Sequence, residues 1–178
     1  MRNSLLMSLI LLPGAVTVFI PFVLVSLSSF LFGPMTQLSN YVLVLIASLI
    51  LIYIGLFLLG TTILLFLRIG QGTPAPWDPP KHLVVRGPYR YVRNPMILGV
   101  LLVLLGETLM FWSVVLLVWT FVFLAANLAY FPLIEEKQLR RRFGAAYDEY
   151  AVHVPRWIPR RTPWHQPNPD SPNNFQNR

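Results

Sequence analysis

The chain has no cysteine and very little charge. Without cysteine, disulfide bonds, thiolate metal sites and cysteine nucleophiles are excluded. Only 12% of the 178 residues are charged, against the roughly one quarter typical of soluble domains, and 55% are hydrophobic. Because a chain this short cannot bury so much apolar surface within itself, most of its helices are expected to face lipid.

The sequence also lacks a pattern for a metal ion or a nucleic acid. His82, His153 and His165 are scattered and have no metal-ligand spacing, so no metal site is predicted. The formal net charge of +7 would suggest nucleic acid in a soluble protein. Here the basic residues flank apolar segments, which is typical of membrane topology signals and of attraction to anionic headgroups, so no nucleic-acid partner is predicted.

Three long apolar stretches predict an all-α integral membrane bundle of about four transmembrane helices. The first two, residues 5–32 and 41–69, both exceed the roughly 20 residues that cross a bilayer. The third, residues 96–134, would be about twice as long as a hydrocarbon core if it formed one helix. It is therefore expected to fold back on itself.

Polar residues near the middle of the third stretch predict where it turns. Glu107, Thr108 and Ser113 form its central polar cluster. A tight turn over Glu107–Ser113 gives a hairpin of two helices, at 95–110 and 112–134. Glu107 is ionisable within an apolar hairpin, which suggests a functional site, but its place near the outer turn favours simple access to water.

The basic residues give the expected topology. No Lys or Arg lies between Arg2 and Arg68, or between Arg93 and Lys137. With four spans, all 14 basic residues fall on one side of the membrane. The positive-inside rule makes that side cytoplasmic, so we expect a multi-pass protein of the cell membrane with both termini in the cytoplasm.

Two segments are predicted on the cytoplasmic side. The first is a loop over 70–94, rich in Pro and Gly at its start. The second is a helix over 135–154, with one apolar face and many basic residues elsewhere, which is expected to lie on the membrane surface. Its apolar face consists of Leu139, Phe143, Tyr147, Tyr150 and Val154. We expect a single domain over 1–161 and a disordered Pro/Asn-rich tail over 162–178.

Asn94-Pro95 is a helix-start signal, with Asn as N-cap and Pro at the first helical position. Capping alone would explain Asn94. A helix N-terminus also offers N–H groups and partial positive charge to a carboxylate or phosphate. The neighbouring Arg86, Arg90 and Arg93 either add to such a site or extend towards lipid headgroups.

Glu135 and Glu136 follow the fourth predicted helix, where acidic residues oppose the helix dipole. Arg140 lies four residues after Glu136 and is expected to pair with it. Glu135 has no such local partner, so it either pairs with an arginine of the loop or meets a cationic group of a ligand.

Two motifs together resemble the isoprenylcysteine carboxyl methyltransferase and phospholipid methyltransferase superfamily. They are KHLVVRGPYRYVRNPMILG and, after the hairpin, EEKQLRRRFGAAYDEYAVHVPRWIP, and the resemblance covers about Lys81–Pro159. It implies a helical membrane methyltransferase that uses S-adenosylmethionine and has no Rossmann domain. The positions that it assigns to the methyl donor are Lys81, His82, Leu83, Val84, Tyr89, Asn94, Pro95, Met96, Ile97 and Glu135.

The resemblance also suggests a catalytic arrangement and an acceptor. His82 is available as a base, and Tyr89 as a group that orients the acceptor. The acceptor is expected to be lipid-borne or amphiphilic. The superfamily usually has His at Asn94 and Tyr at Ile97, and its prenylcysteine branch has Arg at Phe131, so a carboxylate acceptor would lose a cation here.

Two alternative functions fit parts of the same pattern. Membrane sterol reductases share a similar GPYRY-x-R-x-P stretch and use NADPH, although the adjacent Glu135 and Glu136 would repel a polyphosphate. A non-catalytic membrane scaffold or lipid-binding subunit would explain the departures at Asn94 and Ile97.

Overall fold

A computed structural model describes residues 10–32, 42–72 and 79–165 of the chain. Within these ranges the protein is all-helical and contains no strand, which confirms the predicted fold class. The predicted outer loop at 33–40 and residues 73–78 of the predicted cytoplasmic loop lie outside the described residues.

Six α-helices form the described structure. A π-helical segment, Ile10–Phe19, leads into α1, Ile20–Phe32, and α2, Val42–Leu65, ends in a π-helical turn, Phe66–Gly70. After a short 3₁₀ turn, Gly87–Arg90, come α3, Pro95–Phe111, and α4, Val114–Tyr130. A second π-helical turn, Phe131–Glu135, joins α4 to α5, Glu136–Phe143, and α6, Ala145–His153, follows.

Among the described residues, three helical segments are long and apolar enough to cross a membrane, namely Pro13–Phe30, Val42–Gly70 and Val114–Phe143. α3 is also apolar but has 17 residues. At 1.5 Å per residue it is about 25 Å long, slightly shorter than a hydrocarbon core of about 30 Å. The chain is therefore a multi-pass membrane protein in which one span is shorter than the others.

The α3–α4 hairpin turns near the end of the range that the sequence predicts. α3 continues through Glu107 to Phe111, and the turn consists of Trp112, in a left-handed conformation at φ 47°, and Ser113. The Ser113 hydroxyl accepts a hydrogen bond from the backbone N–H of Leu116 at 3.4 Å, which caps α4. The turn therefore lies within the expected range Glu107–Ser113, at its C-terminal end, because Glu107 belongs to the helix and only Trp112 and Ser113 form the turn.

Small residues allow α2 and α3 to pack closely as antiparallel neighbours. A methyl group added at Gly55 would lie 2.6 Å from the carbonyl oxygen of Gly99, and one added at Gly106 would lie 2.8 Å from the carbonyl oxygen of Ser48. Such spacings bring the two backbones into direct contact, as is common where membrane helices associate. This contact fixes the depth at which α3 begins.

The predicted interfacial helix over 135–154 is not one helix. α5 is a continuation of α4, and Gly144, at φ 53°, separates α5 from α6. The predicted apolar face is buried within the protein, where Tyr147 and its neighbours pack against Val85 and Trp164. This apolar face therefore packs against the loop at Leu83 and Val85, while the position of the segment relative to the membrane surface stays a prediction.

The predicted tail starts too early. Trp164 is buried in the same cluster and its backbone N–H donates to the Arg90 carbonyl at 3.0 Å, so the ordered fold extends past residue 161. Residues 166–178, the remainder of the predicted tail, lie outside the described residues.

The close contact of α2 and α3 predicts an asymmetric response to two glycine substitutions. Gly55→Ala forces a methyl group against Gly99 and Val103 and is expected to destabilise the protein by about 1–3 kcal/mol. Gly60→Ala, on the same helix, meets no atom within 4 Å and is expected to cause no loss. Thermal unfolding in detergent measures both, and equal midpoints for the two variants would contradict this packing.

Candidate functional site

The N-terminus of α3 lies recessed between longer helices. Gly99 packs against Gly55 and Leu59, so Pro95, one turn earlier, lies beside α2 well before that helix ends. α2 and its π-helical turn continue to Gly70, and α4 continues into α5. The short helix α3 therefore leaves a hollow at its N-terminus, between the ends of the longer helices.

This hollow is a cavity of about 360 Å³, a volume typical of small-molecule sites. The side towards the membrane contains Val16 of the N-terminal π-helical segment, Val100 and Phe123. The opposite side contains loop and α5 residues, such as Pro80 and Gln138. One cavity therefore joins an apolar region between the spans to a polar region at the helix ends.

Most of the residues singled out by the sequence meet at this cavity. Those that line it are His82, Leu83, Val84, Tyr89, Asn94, Met96, Ile97 and Glu135. Lys81 and Pro95 do not. Lys81 is exposed, and its backbone N–H donates to the Gly70 carbonyl at 2.7 Å, whereas Pro95 is buried as the first residue of α3.

The structure does not support side-chain capping as the role of Asn94. It occupies the N-cap position of α3, but its side chain makes no capping hydrogen bond. The residue is only 5% exposed, and its Nδ2 atom has no hydrogen-bond partner within the part of the chain that the structure describes. A buried amide N–H₂ without a partner is costly, so this group is available to an acceptor in the cavity.

Glu136 is the centre of a partly buried ion cluster, in which the Arg156 side chain is 44% exposed. Its Oε1 accepts from Arg93 Nη1 at 2.9 Å and from Arg156 Nε at 2.6 Å, and its Oε2 accepts from Arg156 Nη2 at 2.9 Å. The Glu136 and Arg93 side chains are 5% and 9% exposed. The predicted pair of Glu136 with Arg140 is not present, because Arg140 pairs with Asp148 at 3.4 Å instead.

Glu135, the adjacent residue, has a different environment. It lines the cavity and makes no ion pair among residues 10–32, 42–72 and 79–165. The loop arginine that was a possible partner, Arg93, pairs with Glu136. The two consecutive carboxylates are thus divided between a structural cluster and the cavity.

Tyr89 is fixed by contacts on two sides. Its ring stacks on Phe66 with centroids 5.5 Å apart, and its carbonyl accepts from the Tyr150 hydroxyl at 2.7 Å. Burial raises the pKa of the Tyr89 phenol well above its ordinary value, so the hydroxyl is protonated. His82, by contrast, is exposed at the mouth of the cavity.

A segment after α6 ties the C-terminal region to the loop. Arg93 donates from its backbone N–H to the Pro155 carbonyl at 2.9 Å, and the Arg160 N–H donates to the Tyr91 carbonyl at 3.0 Å. Together with the Trp164–Arg90 bond, these contacts hold residues 90–93 at the entrance to α3. This segment, 155–164, is called the strap below.

Sequence reasoning missed three residues that matter to the site. Arg156 completes the ion cluster, and Tyr147 and Asn127 line the cavity. The sequence pattern places Tyr147 on the apolar face of a predicted helix and gives it no role in a site. Asn127 is a polar residue within an apolar span, which was a usable signal, and its Nδ2 donates to the Phe123 carbonyl at 2.8 Å.

Comparison with known proteins defines the class. A family model described as phospholipid methyltransferase matches residues 43–146, more than half of the chain. Together with the apolar helical bundle, this match makes the protein an integral membrane methyltransferase. The chain belongs to the phospholipid methyltransferase family. No curated protein and no solved structure matches it.

The division of labour between the two glutamates predicts different effects on stability. Glu136→Gln leaves two arginines without their carboxylate and is expected to lower the free energy of unfolding by about 3–5 kcal/mol. Glu135→Gln removes no ion pair of the described chain and is expected to have little effect. Thermal and denaturant unfolding in detergent measures both, and a larger loss for Glu135→Gln would contradict the assignment.

Proposed function

We propose that the protein transfers a methyl group from S-adenosylmethionine to a lipid-borne or amphiphilic acceptor at the cytoplasmic face of the cell membrane. One observation carries the proposal: the same cavity is lined by Asn94, whose Nδ2 has no hydrogen-bond partner in the described chain, and by the Glu135 carboxylate. The methionine part of this donor carries a carboxylate and an ammonium, which need groups of these two kinds.

The polar part of the cavity suits the donor. The Asn94 amide and the N-terminus of α3 offer N–H groups and partial positive charge to a carboxylate. Glu135 offers negative charge to an ammonium group. Tyr89 and Phe66 add stacked aromatic surface beside them, which favours a cationic or a planar group.

In this proposal Lys81 and Pro95 do not contact the methyl donor but hold the residues that do. Lys81 holds the start of the loop against the end of α2 through its backbone N–H. Pro95 begins α3, and its fixed φ is suited to a first helical residue. Both positions therefore shape the cavity without lining it.

The membrane side of the cavity suits the acceptor. Val16, Val100 and Phe123 provide apolar surface between spans, where an acyl or other apolar chain would enter from lipid. Phe131, only 2% exposed, also lines the cavity and carries no charge. An acceptor without a carboxylate is therefore favoured.

The chain's own groups position the reactants and handle a proton. S-adenosylmethionine supplies an electrophilic methyl group on a sulfonium. Alignment in a closed cavity contributes about 7–11 kcal/mol to lowering the barrier of such a displacement. His82, exposed at the mouth, takes a proton from an amine or alcohol acceptor, while the protonated Tyr89 hydroxyl donates a hydrogen bond that orients it.

The cytoplasmic orientation rests on the charges. The Lys and Arg residues of the described chain lie in the loop, α5 and the strap, together with Arg68 in the π-helical turn after α2. Under the positive-inside rule this side faces the cytoplasm, where the polar donor is dissolved. Both termini are proposed to lie there.

Direct binding tests the donor. Purified wild-type protein in detergent is expected to bind S-adenosylmethionine with micromolar affinity and not to bind NADPH. Glu135→Gln is expected to weaken binding roughly tenfold or more because the ammonium group loses its counter-charge. Glu149→Gln, a change at an exposed carboxylate away from the cavity, serves as the matched control and is expected to leave binding unchanged.

Isothermal titration of both ligands separates the candidate functions. Tight NADPH binding would contradict the methyl-donor assignment and favour a reductase. Failure of wild type to bind either ligand would favour a scaffold without activity.

The affinity for S-adenosylmethionine is expected to depend on the charge at position 94. Asn94→Asp places a negative charge beside the expected carboxylate and should weaken S-adenosylmethionine binding more than tenfold. Asn94→His restores the residue usual in the superfamily, keeps an N–H donor and should bind within a few-fold of wild type. Titration of both variants measures this, and equal affinity of the Asp and His variants would rule out an anion at this position.

A further inference from the structure

Three buried polar groups around the cavity lack a partner in the described chain. They are Nε of Arg93, Nδ2 of Asn94 and the hydroxyl of Tyr147, and all three residues line the cavity. Asn94 belongs to the helix-start motif, but Arg93 and Tyr147 have no role in the donor site described above. Each group can donate a hydrogen bond, and the three residues meet at one cavity.

Arg93 is held so that one edge of its guanidinium stays available. Nη1 is bound to Glu136 at 2.9 Å, and the backbone N–H is bound to Pro155 at 2.9 Å. These bonds fix the residue from two sides while its side chain is only 9% exposed. Nε lies on the edge of the guanidinium away from Nη1, so it is not used by the ion cluster.

Tyr147 is among the most buried side chains, at 1% exposure. Its ring meets that of Tyr150 edge to face, with centroids 6.2 Å apart, in the cluster that includes Trp164. The Tyr150 hydroxyl donates to the Tyr89 carbonyl, whereas the Tyr147 hydroxyl donates to no group of the described chain. The Arg93 guanidinium lies near enough to donate to the Tyr147 oxygen, which leaves the Tyr147 O–H proton available. Buried tyrosine hydroxyls usually find a partner, so this one is suited to a ligand.

We infer that Tyr147 and Arg93 complete, with Asn94, a subsite for the carboxylate of the methyl donor. A carboxylate has only acceptor positions and can take several N–H and O–H donors at once, which matches a set of three donors. Glu135 then faces the ammonium group from another side of the same cavity. This inference rests on the proposed function and assigns Tyr147 as a residue that determines donor specificity.

A pair of ligands tests the subsite without any substitution. Wild-type protein should bind S-adenosylmethionine at least tenfold more tightly than decarboxylated S-adenosylmethionine, which lacks the carboxylate and keeps the sulfonium and the amine. Isothermal titration in detergent measures both affinities. Equal affinities for the two ligands would overturn the subsite even though the donor assignment survives, and no binding of S-adenosylmethionine would overturn both.

A hydroxyl deletion then assigns the effect to Tyr147. Tyr147→Phe is expected to weaken S-adenosylmethionine binding about tenfold, to change decarboxylated-ligand binding little, and to leave the unfolding temperature equal or higher because an unpaired buried hydroxyl is removed. Tyr150→Phe is the matched control: it removes a bonded hydroxyl and should lower the unfolding temperature while keeping the ratio of the two affinities. A wild-type ratio in folded Tyr147→Phe would overturn the assignment.

Discussion

The ion cluster of Glu136 with Arg93 and Arg156 is the interaction on which the rest of the site depends. It joins Arg93, two residues before the start of α3, to the first residue of α5 and to the strap, which are far apart in sequence. Isolated buried charges are very unfavourable, and a carboxylate matched by two guanidinium groups avoids that cost. The cluster fixes Arg93 and Glu136. Asn94 and Glu135, their neighbours in the sequence, are therefore held at the cavity without taking part in the cluster.

The depth of α3 is the second constraint. Close packing of Gly55 and Gly99 sets where the helix starts, and the short helix leaves space that longer neighbours enclose. A soluble α/β enzyme obtains a comparable site at the carboxyl ends of its strands. Here unequal helix lengths in a membrane bundle provide the hollow, which is lined by apolar residues between the helices and by polar residues at the helix ends.

The sequence predicts the number and type of spans, because only long apolar runs can cross lipid, and the paired motifs indicate most residues of the cavity. It does not predict features set by contacts distant in the chain. The partner of Glu136 was expected at Arg140, four residues away, yet Arg93 lies 43 residues away. The continuous helix expected over 135–154 followed from apolar spacing, which is equally satisfied by two helices separated at Gly144.

The π-helical turn at Phe131–Glu135 has a consequence for how such a chain tolerates insertions and deletions. Pro132 cannot donate a backbone hydrogen bond, and the Glu136 N–H bonds to the Phe131 carbonyl five residues earlier, so the turn is wider than an α-helical one. This extra width sets the angular phase of α5 relative to α4. Removal of one residue here would rotate the following helix by about 100°, so Glu136 would take the place of Glu135 at the cavity and Lys137 would take the place of Glu136 in the ion cluster.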